Sequence, residues 1–199
     1  MNIIFDLGGV VITWDPDDFV SNVFDDKDTR KIARKHILDH NDWIELDRGV
    51  LSKNEAIKRG TERSGLPESE VKRLFDAVPS YLIPVNESIR LIHELKSSRN
   101  KLFVLSNLHL ASIAHLEQEY SFLELFDGKV ISCRINKVKP ESEIYEHLLE
   151  KYKLEMYNTI FIDDVDLNVN AAAALGIKTI HFKNIKQCRQ ELQDFGCLS

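Results

Sequence analysis

Hydrophobic positions follow two rhythms along the chain. Asn2-Ile3-Ile4-Phe5 is an apolar run that stops at Asp6 and resumes as Leu7-Gly8-Gly9-Val10-Val11. A short run of β-branched and aromatic residues bounded by glycine predicts a buried strand. From Asp17 to about Leu82 the rhythm turns helical. Phe19, Val20, Val23 and Phe24 make one stripe, and Ile32, Ala33, His36 and Ile37 make another. Ser52-Lys53-Asn54-Glu55 has the spacing of a capping box, so a helix is predicted to start there. Gly65-Leu66-Pro67 ends it, and Val71, Leu74, Phe75 and Val78 supply the next stripe. No strand pattern interrupts this helical module.

From Pro84 onward helix and strand alternate. Ile89, Ile92 and Leu95 stripe a helix ending near Ser97-Ser98, and Lys101 to Leu105 forms a strand that stops at Ser106-Asn107. A helical stretch around Ile113 to Leu116 and a short strand at Lys129 to Ser132 come next. Pro140 suits the first turn of a helix running from Glu143 to Tyr152. Thr159 to Ile162 is another buried strand, ending at Asp163-Asp164. An alanine-rich helix stops at Gly176, Lys178 to Phe182 gives a fifth strand, and Ile185 to Phe195 a final helix. Alternating elements of this kind imply βαβ units and an α/β fold, with a mainly parallel sheet of five strands covered on both faces. In such sheets ligands gather beyond the carboxyl ends of the strands. Asp6, Ser106 and the Asp163-Asp164 pair all fall at that end of three different strands.

Composition narrows the possibilities. A length of 199 residues allows one sizeable core with a small insert, and a formal net charge of −6 argues against a nucleic-acid backbone binder. Cys133, Cys188 and Cys197 are odd in number and lack any C-x-x-C pair, a reduced intracellular pattern. Neither a leader-like segment nor a stretch of membrane-spanning length is evident. The expectation is a cytoplasmic protein without a membrane or nucleic-acid partner.

Asp163 and Asp164 side by side are costly without a cation, and Asp6 would add a third converging carboxylate. A few hard oxygen ligands near a phosphate suit Mg²⁺. One of the pair also suits the N-cap of the alanine-rich helix, which does not exclude a metal. Gly8 and Gly9 let the backbone turn tightly and approach a bound group. Lys139 before Pro140 could reach back into the crevice, where Ser106 and Asn107 offer donors to phosphate oxygens. Nucleophile, cation, metal and phosphate donors together specify phosphoryl transfer through an aspartyl-phosphate.

Ile4-Phe5-Asp6-Leu7-Gly8-Gly9-Val10, Val104-Leu105-Ser106-Asn107, Lys139-Pro140 and Phe161-Ile162-Asp163-Asp164 with Asn168 resemble the four motifs of the haloacid dehalogenase superfamily, in order and from end to end of the chain. The sugar-phosphatase-like branch and the phosphatase domain of epoxide hydrolases are the most similar groups. The resemblance implies a Rossmann-like three-layer core of residues 1–16 and 83–199, with the first strand central and residues 17–82 inserted as a helical cap. It implies a phosphatase acting on a small phosphorylated molecule, with a sugar phosphate as the candidate. Asp6 would be the nucleophile and a Mg²⁺ ligand, with Asp164 the second carboxylate ligand and Gly8 offering its carbonyl. Asp163 would ligate through water or position the loop. Ser106, with Gly9 and Asn107, would bind the phosphoryl group, and Lys139 would balance its charge.

Gly8 departs from the family pattern. Phosphatases of this kind carry a second aspartate there as general acid and base, and losing such a group costs on the order of 10²–10⁴ in rate. A substrate with an acidic leaving group would tolerate the loss. Alternatively His109 or a residue of the helical insert supplies the proton. Trp43, Asp47 and Arg48 are candidate substrate contacts, against a structural role for Trp43 in the insert's core and for Arg48 in pairing with Asp47 or Glu45. Two rival functions are a haloacid dehalogenase, which lacks the acidic pair and needs no metal, and a non-catalytic binding protein on the same fold.

Overall fold

The structure, a computed structural model, describes residues 1–198. Strands β1 (Asn2–Phe5), β2 (Lys101–Ser106), β3 (Gly128–Ile131), β4 (Thr159–Asp163) and β5 (Lys178–His181) form one sheet in the order β3-β2-β1-β4-β5. All four pairings are parallel. The expected mainly parallel sheet is therefore parallel throughout, with β1 at its centre.

The unbroken apolar run of β1 follows from burial on both faces. Ile3 and Phe5 enter one apolar cluster, together with Leu91, Ile92 and Leu95 of α6 (Asn86–Ser97) and Cys188 and Leu192 of α11 (Ile185–Asp194). Ile4 enters a second, with Ile144, Tyr145 and Leu148 of α9 (Ser142–Tyr152) and Ala172 of α10 (Asp166–Ala174). These are the three layers. The chain winds outward from β1 to β3 and then crosses to β4 on the opposite side of β1. Its order reverses at the centre, where the carboxyl ends of β1, β2 and β4 open a crevice.

Between β1 and α6 the chain forms α1 (Pro16–Val23), α2 (Lys27–Ala33), a π turn (Arg34–Leu38), α3 (Asn41–Arg48), α4 (Lys53–Ser64) and α5 (Glu68–Tyr81). Local chemistry sets their ends. Asp15 accepts the N–H groups of Asp17 and Asp18 at 2.9 and 3.0 Å, with Pro16 opening α1. Ser52 accepts from the Glu55 N–H at 3.2 Å, as its spacing foretold. Gly49 closes α3 at φ 83°. The root of this helical stretch is narrow: Thr13 donates to the Ile83 carbonyl and Val85 to the Val11 carbonyl, both at 2.9 Å. Its apolar faces, including Phe19, Ile37, Leu46 and Leu74, join the same cluster as Ile3 and Phe5.

One local expectation fails. Pro140 does not begin a helix: α9 starts at Ser142, and the Lys139-Pro140 peptide, which is cis, lies in the preceding loop. Among the described residues no helix is long and apolar enough to cross a membrane, and all three cysteines are free.

Candidate active site

Asp6 follows β1 directly, so its carboxylate stands at the crevice between the ends of β2 and β4. Three donors fix it through one oxygen, Oδ1: the Leu7 N–H at 2.6 Å, the Ser106 hydroxyl at 2.7 Å and Lys139 Nζ at 2.9 Å. Lys139 also donates to Asp163 Oδ2 at 2.6 Å. Lys139 and Asp163 are 2% and 0% exposed, so this is an ionic triad almost shut off from water. Burial opposes the charged form of Lys139, yet Asp6 and Asp163 outweigh it and raise its pKa. Burial, reinforced by Asp163 and Asp164 against the pull of Lys139, pushes Asp6 up to about 7.

Asp163 is held from several sides. It accepts the Val165 N–H at 2.8 Å and the Asn168 carboxamide at 3.1 Å on each oxygen. The expected N-cap role is thus displaced by one step: Val165 is the N-cap of α10, and Asp163 holds that residue's amide. Asp164 is raised by burial and by its neighbour Asp163, and no salt bridge reaches it among the described residues. Carboxylate oxygens of Asp6, Asp163 and Asp164 lie within 4.8 Å of one another. Three acids share one lysine, so the cluster is short of positive charge, and its hard oxygen donors fit a divalent cation such as Mg²⁺.

The glycines divide their work. Gly8 lines the cavity above Asp6. Gly9, at φ 69°, gives its N–H to the Ile12 carbonyl at 3.0 Å, and a Cβ there would stand 2.3 Å from Asp164 Oδ2. Its visible task is to clear room for Asp164. Asn107 also lines the cavity, but its carboxamide is spent on Lys139, donating to that residue's carbonyl at 3.0 Å and accepting its N–H at 2.9 Å. Asn107 therefore positions the lysine loop.

A cavity of about 210 Å³ rises from Asp6, Ser106, Lys139 and Asp164 to a wall of Trp14, Trp43, Val78, Leu82 and Leu108. Trp43 stacks on Trp14 (ring centroids 5.9 Å apart) and on Phe75 (5.5 Å), so it serves both the insert's core and the cavity. Arg48 is spent on Glu141 through two bonds of 2.7 Å and on Glu45 at 3.1 Å; it does not pair with Asp47. His109, the N-cap of α7 (Leu110–Glu119), engages Ser112 through both ring nitrogens. Burial, with Lys53 assisting, pushes it down to about 4, so it is neutral near pH 7. Asp47 lines the cavity and is 8% exposed. Sequence offered no sign of its burial, nor of Trp14 as part of the wall.

A buried nucleophile-type carboxylate bound to a lysine, beside an acidic cluster at the switch point of a parallel sheet, is the centre of a hydrolase that works through a carboxylate nucleophile. The sequence matches the haloacid dehalogenase-like hydrolase family over residues 3–182, and the chain belongs to that family. It is 30% identical to a sesquiterpene phosphatase of Aspergillus oryzae, over 98% of this chain and 96% of the relative. It is 28% identical to a D-ribitol-5-phosphate phosphatase of Bacteroides thetaiotaomicron, over 96% of each. A family enzyme from Bacteroides thetaiotaomicron, solved with magnesium and inorganic phosphate, superposes with a TM-score of 0.73 at 26% identity, covering 92% of this chain and 93% of that one.

Proposed function

We propose that the protein is a Mg²⁺-dependent phosphatase that hydrolyses a small phosphate monoester through an aspartyl-phosphate on Asp6. In this reading residues 17–82 act as a cap over a core made of 1–16 and 83–199. The observation that carries it is the group of three carboxylates around one buried lysine, with Asp6 pinned through a single oxygen. Asp6 and Asp164, with the Gly8 carbonyl, would hold Mg²⁺, while Asp163 fixes Lys139 and the loop. When bound, the ion neutralises phosphoryl charge and orients the phosphoryl oxygens. Lys139 brings a fixed positive charge to where that charge accumulates, without reorganisation during the reaction. Ser106, which donates to Asp6 here, can redirect its hydroxyl to a phosphoryl oxygen. A dehalogenase would have no use for Asp163 and Asp164 together, and a binding module none for the buried triad.

The two phosphatase relatives are named for an apolar and a polyol substrate respectively. The lining supports the apolar kind: Trp14, Trp43, Val78, Leu82 and Leu108 form the upper wall, and the side chains of Asn107, His109, Ser112 and Asn168 are already engaged, which leaves Asp47 to face the ligand. A polyol would leave those hydroxyls that Asp47 does not reach unpaired against hydrocarbon, at about 1–3 kcal/mol each. This points away from the sugar phosphate suggested by sequence and toward the monophosphate of an apolar alcohol. The test is phosphate release with Mg²⁺ from prenyl and aryl monophosphates, ribitol 5-phosphate and glucose 1-phosphate, with Asp6→Asn as the blank. Activity that survives a chelator, or survives in Asp6→Asn, overturns the mechanism. A preference for the polyol phosphates overturns the substrate class.

A further inference from the structure

The mechanism above lacks a proton donor, because Gly8 has no side chain and His109 is neutral with both nitrogens engaged. We propose that Asp47, in the last turn of α3, protonates the leaving group and then serves as base for the hydrolytic water. This rests on the phosphatase reading and completes it.

Asp47 is a buried carboxyl in the wall of the cavity that also holds Asp6, Asp164 and Lys139, and unlike Asp6 and Asp164 it stands outside the acidic cluster. It is fastened to the core domain rather than carried loosely by the helical insert. Its carbonyl accepts the Ser132 hydroxyl at 2.5 Å, and the same hydroxyl oxygen accepts the Leu108 N–H at 3.0 Å. The next carbonyl, of Arg48, accepts from Asn136 at 3.1 Å. Gly49 then packs so closely on Cys133 that a Cβ would lie 2.5 Å from its carbonyl oxygen. Backbone anchored at three successive residues fixes the base from which the Asp47 carboxyl reaches into the cavity, as a proton-transfer group requires.

Among the described residues, every cation near Asp47 is already paired with another acid. Arg48 is bound to Glu141 and Glu45, Arg134 to Glu117, Lys53 to Asp76, Arg59 to Glu55 and Asp42, and Arg63 to Asp42. Lys139 faces it but is committed to Asp6 and Asp163. The other titratable groups facing it are Asp6, the neutral His109, whose backbone N–H it accepts, and the Cys133 thiol. Burial, with Asp6 adding to it, pushes Asp47 up to about 7. An acid of that strength holds its proton in a useful fraction of molecules near neutrality and takes one back readily.

The cycle balances. An Asp6 oxygen attacks phosphorus, the bond from phosphorus to the ester oxygen breaks, and that oxygen takes both the electron pair and the proton of Asp47. Water then attacks the phosphorus of the aspartyl-phosphate and gives a proton to the Asp47 carboxylate. The bond to Asp6 breaks, releasing inorganic phosphate and restoring both side chains. With such a donor in place, an acidic leaving group is no longer required.

The experiment uses the full chain with Mg²⁺, a series of phosphate monoesters from nitrophenyl to simple alkyl, and Asp47→Asn, Asp47→Glu and Asp6→Asn. In Asp47→Asn, kcat/KM should fall by about 10²–10⁴ for alkyl esters and far less for nitrophenyl phosphate. Its alkaline limb on alkyl esters should vanish, and phosphorylated protein should accumulate in intact-mass spectra during nitrophenyl phosphate turnover. Asp47→Glu, which keeps an acid, should retain the alkaline limb. An equal loss across the series, an unchanged pH profile or the absence of phosphorylated protein would show Asp47 to be structural and overturn the proposal. If instead the native protein hydrolyses no ester, or Asp6→Asn stays active, the phosphatase reading itself falls and takes this one with it.

Discussion

Replacing Asp47 by asparagine should stabilise the fold at alkaline pH while impairing turnover. Asp47 rises from the ordinary value of 3.8 to about 7 on folding, with burial the leading cause and Asp6 adding to it. Below pH 3.8 both folded and unfolded chains keep the proton, and the side chain carries no penalty. Between pH 3.8 and about 7 the unfolded chain gives up its proton while the folded one retains it, so stability declines as pH rises. Above pH 7 the folded protein holds a buried carboxylate at full cost, about 4 kcal/mol on this interval. Asparagine has no such dependence. Its carboxamide can keep the bond from the His109 N–H but brings an NH₂ needing a partner, a pH-independent cost of about 1–3 kcal/mol.

The diagnostic quantity is therefore the pH-dependence of the difference between variant and native protein. Urea unfolding of the metal-free proteins at constant ionic strength should show it growing by about 1.4 kcal/mol per pH unit from pH 4 and levelling off above pH 7. A difference that is flat with pH, or that favours the native protein increasingly at high pH, would refute the reasoning. Such a result would mean that Asp47 is ionised comfortably in the folded state and cannot be a proton donor near neutrality.

Three further outcomes follow from the buried triad and from Asp164 beside it. Lys139→Met leaves Asp6 and Asp163 facing each other without a cation, and urea unfolding at pH 8 should register a loss of about 3–5 kcal/mol. Mg²⁺ at a hundredfold excess over its Kd should stabilise the native protein by about 2.7 kcal/mol in thermal unfolding, and Asp164→Asn should lose most of that gain; an undiminished gain would place the ion elsewhere. Gly9→Ala brings a Cβ within 2.3 Å of Asp164 Oδ2 at a φ of 69°, so it should cost about 1–3 kcal/mol and abolish the Mg²⁺ effect; normal Mg²⁺ stabilisation would show that Asp164 need not stay where it is.

The sheet and the Asp6–Ser106–Lys139–Asp163 centre were legible in the sequence because their signals are local. An apolar run that ends in a polar residue marks a strand's carboxyl end, and three such ends at one edge locate a site. The roles of Asn107, Gly9 and Asp47 were not legible, since each depends on a partner far along the chain. Asn107 is engaged by Lys139, 32 residues later, Gly9 makes room for Asp164, and Asp47 meets His109 and Ser132. Sequence marked Asp47 only as a candidate substrate contact beside Trp43 and Arg48; its burial comes from the packing of α3 against the core, which sequence does not show.

The same packing explains why the acid absent at position 8 reappears on α3. A Cβ at Gly8 would meet Trp14 Cβ at 3.5 Å and Cγ at 3.7 Å, ordinary contact distances, so a longer side chain there would run alongside the indole at the cavity wall. That indole stacks on Trp43, and Trp43 and Asp47, four residues apart, share one face of α3. Filling the space beside Gly8 with Trp14 thus seats the helix that brings Asp47 to the cavity. Gly8→Asp should consequently fail to improve turnover: the Cβ fits, but the carboxylate beyond it competes with Trp14 for room, and crowding the indole aside would cost about 1–3 kcal/mol. Its effect should be read in kcat/KM on alkyl esters, in thermal stability, and in tryptophan fluorescence as a report on the Trp14–Trp43 stack. A Gly8→Asp protein that is as stable as the native one, hydrolyses alkyl esters faster and restores activity to Asp47→Asn would show that position 8 has room for an acid, and the exchange argued from Trp14 would be wrong.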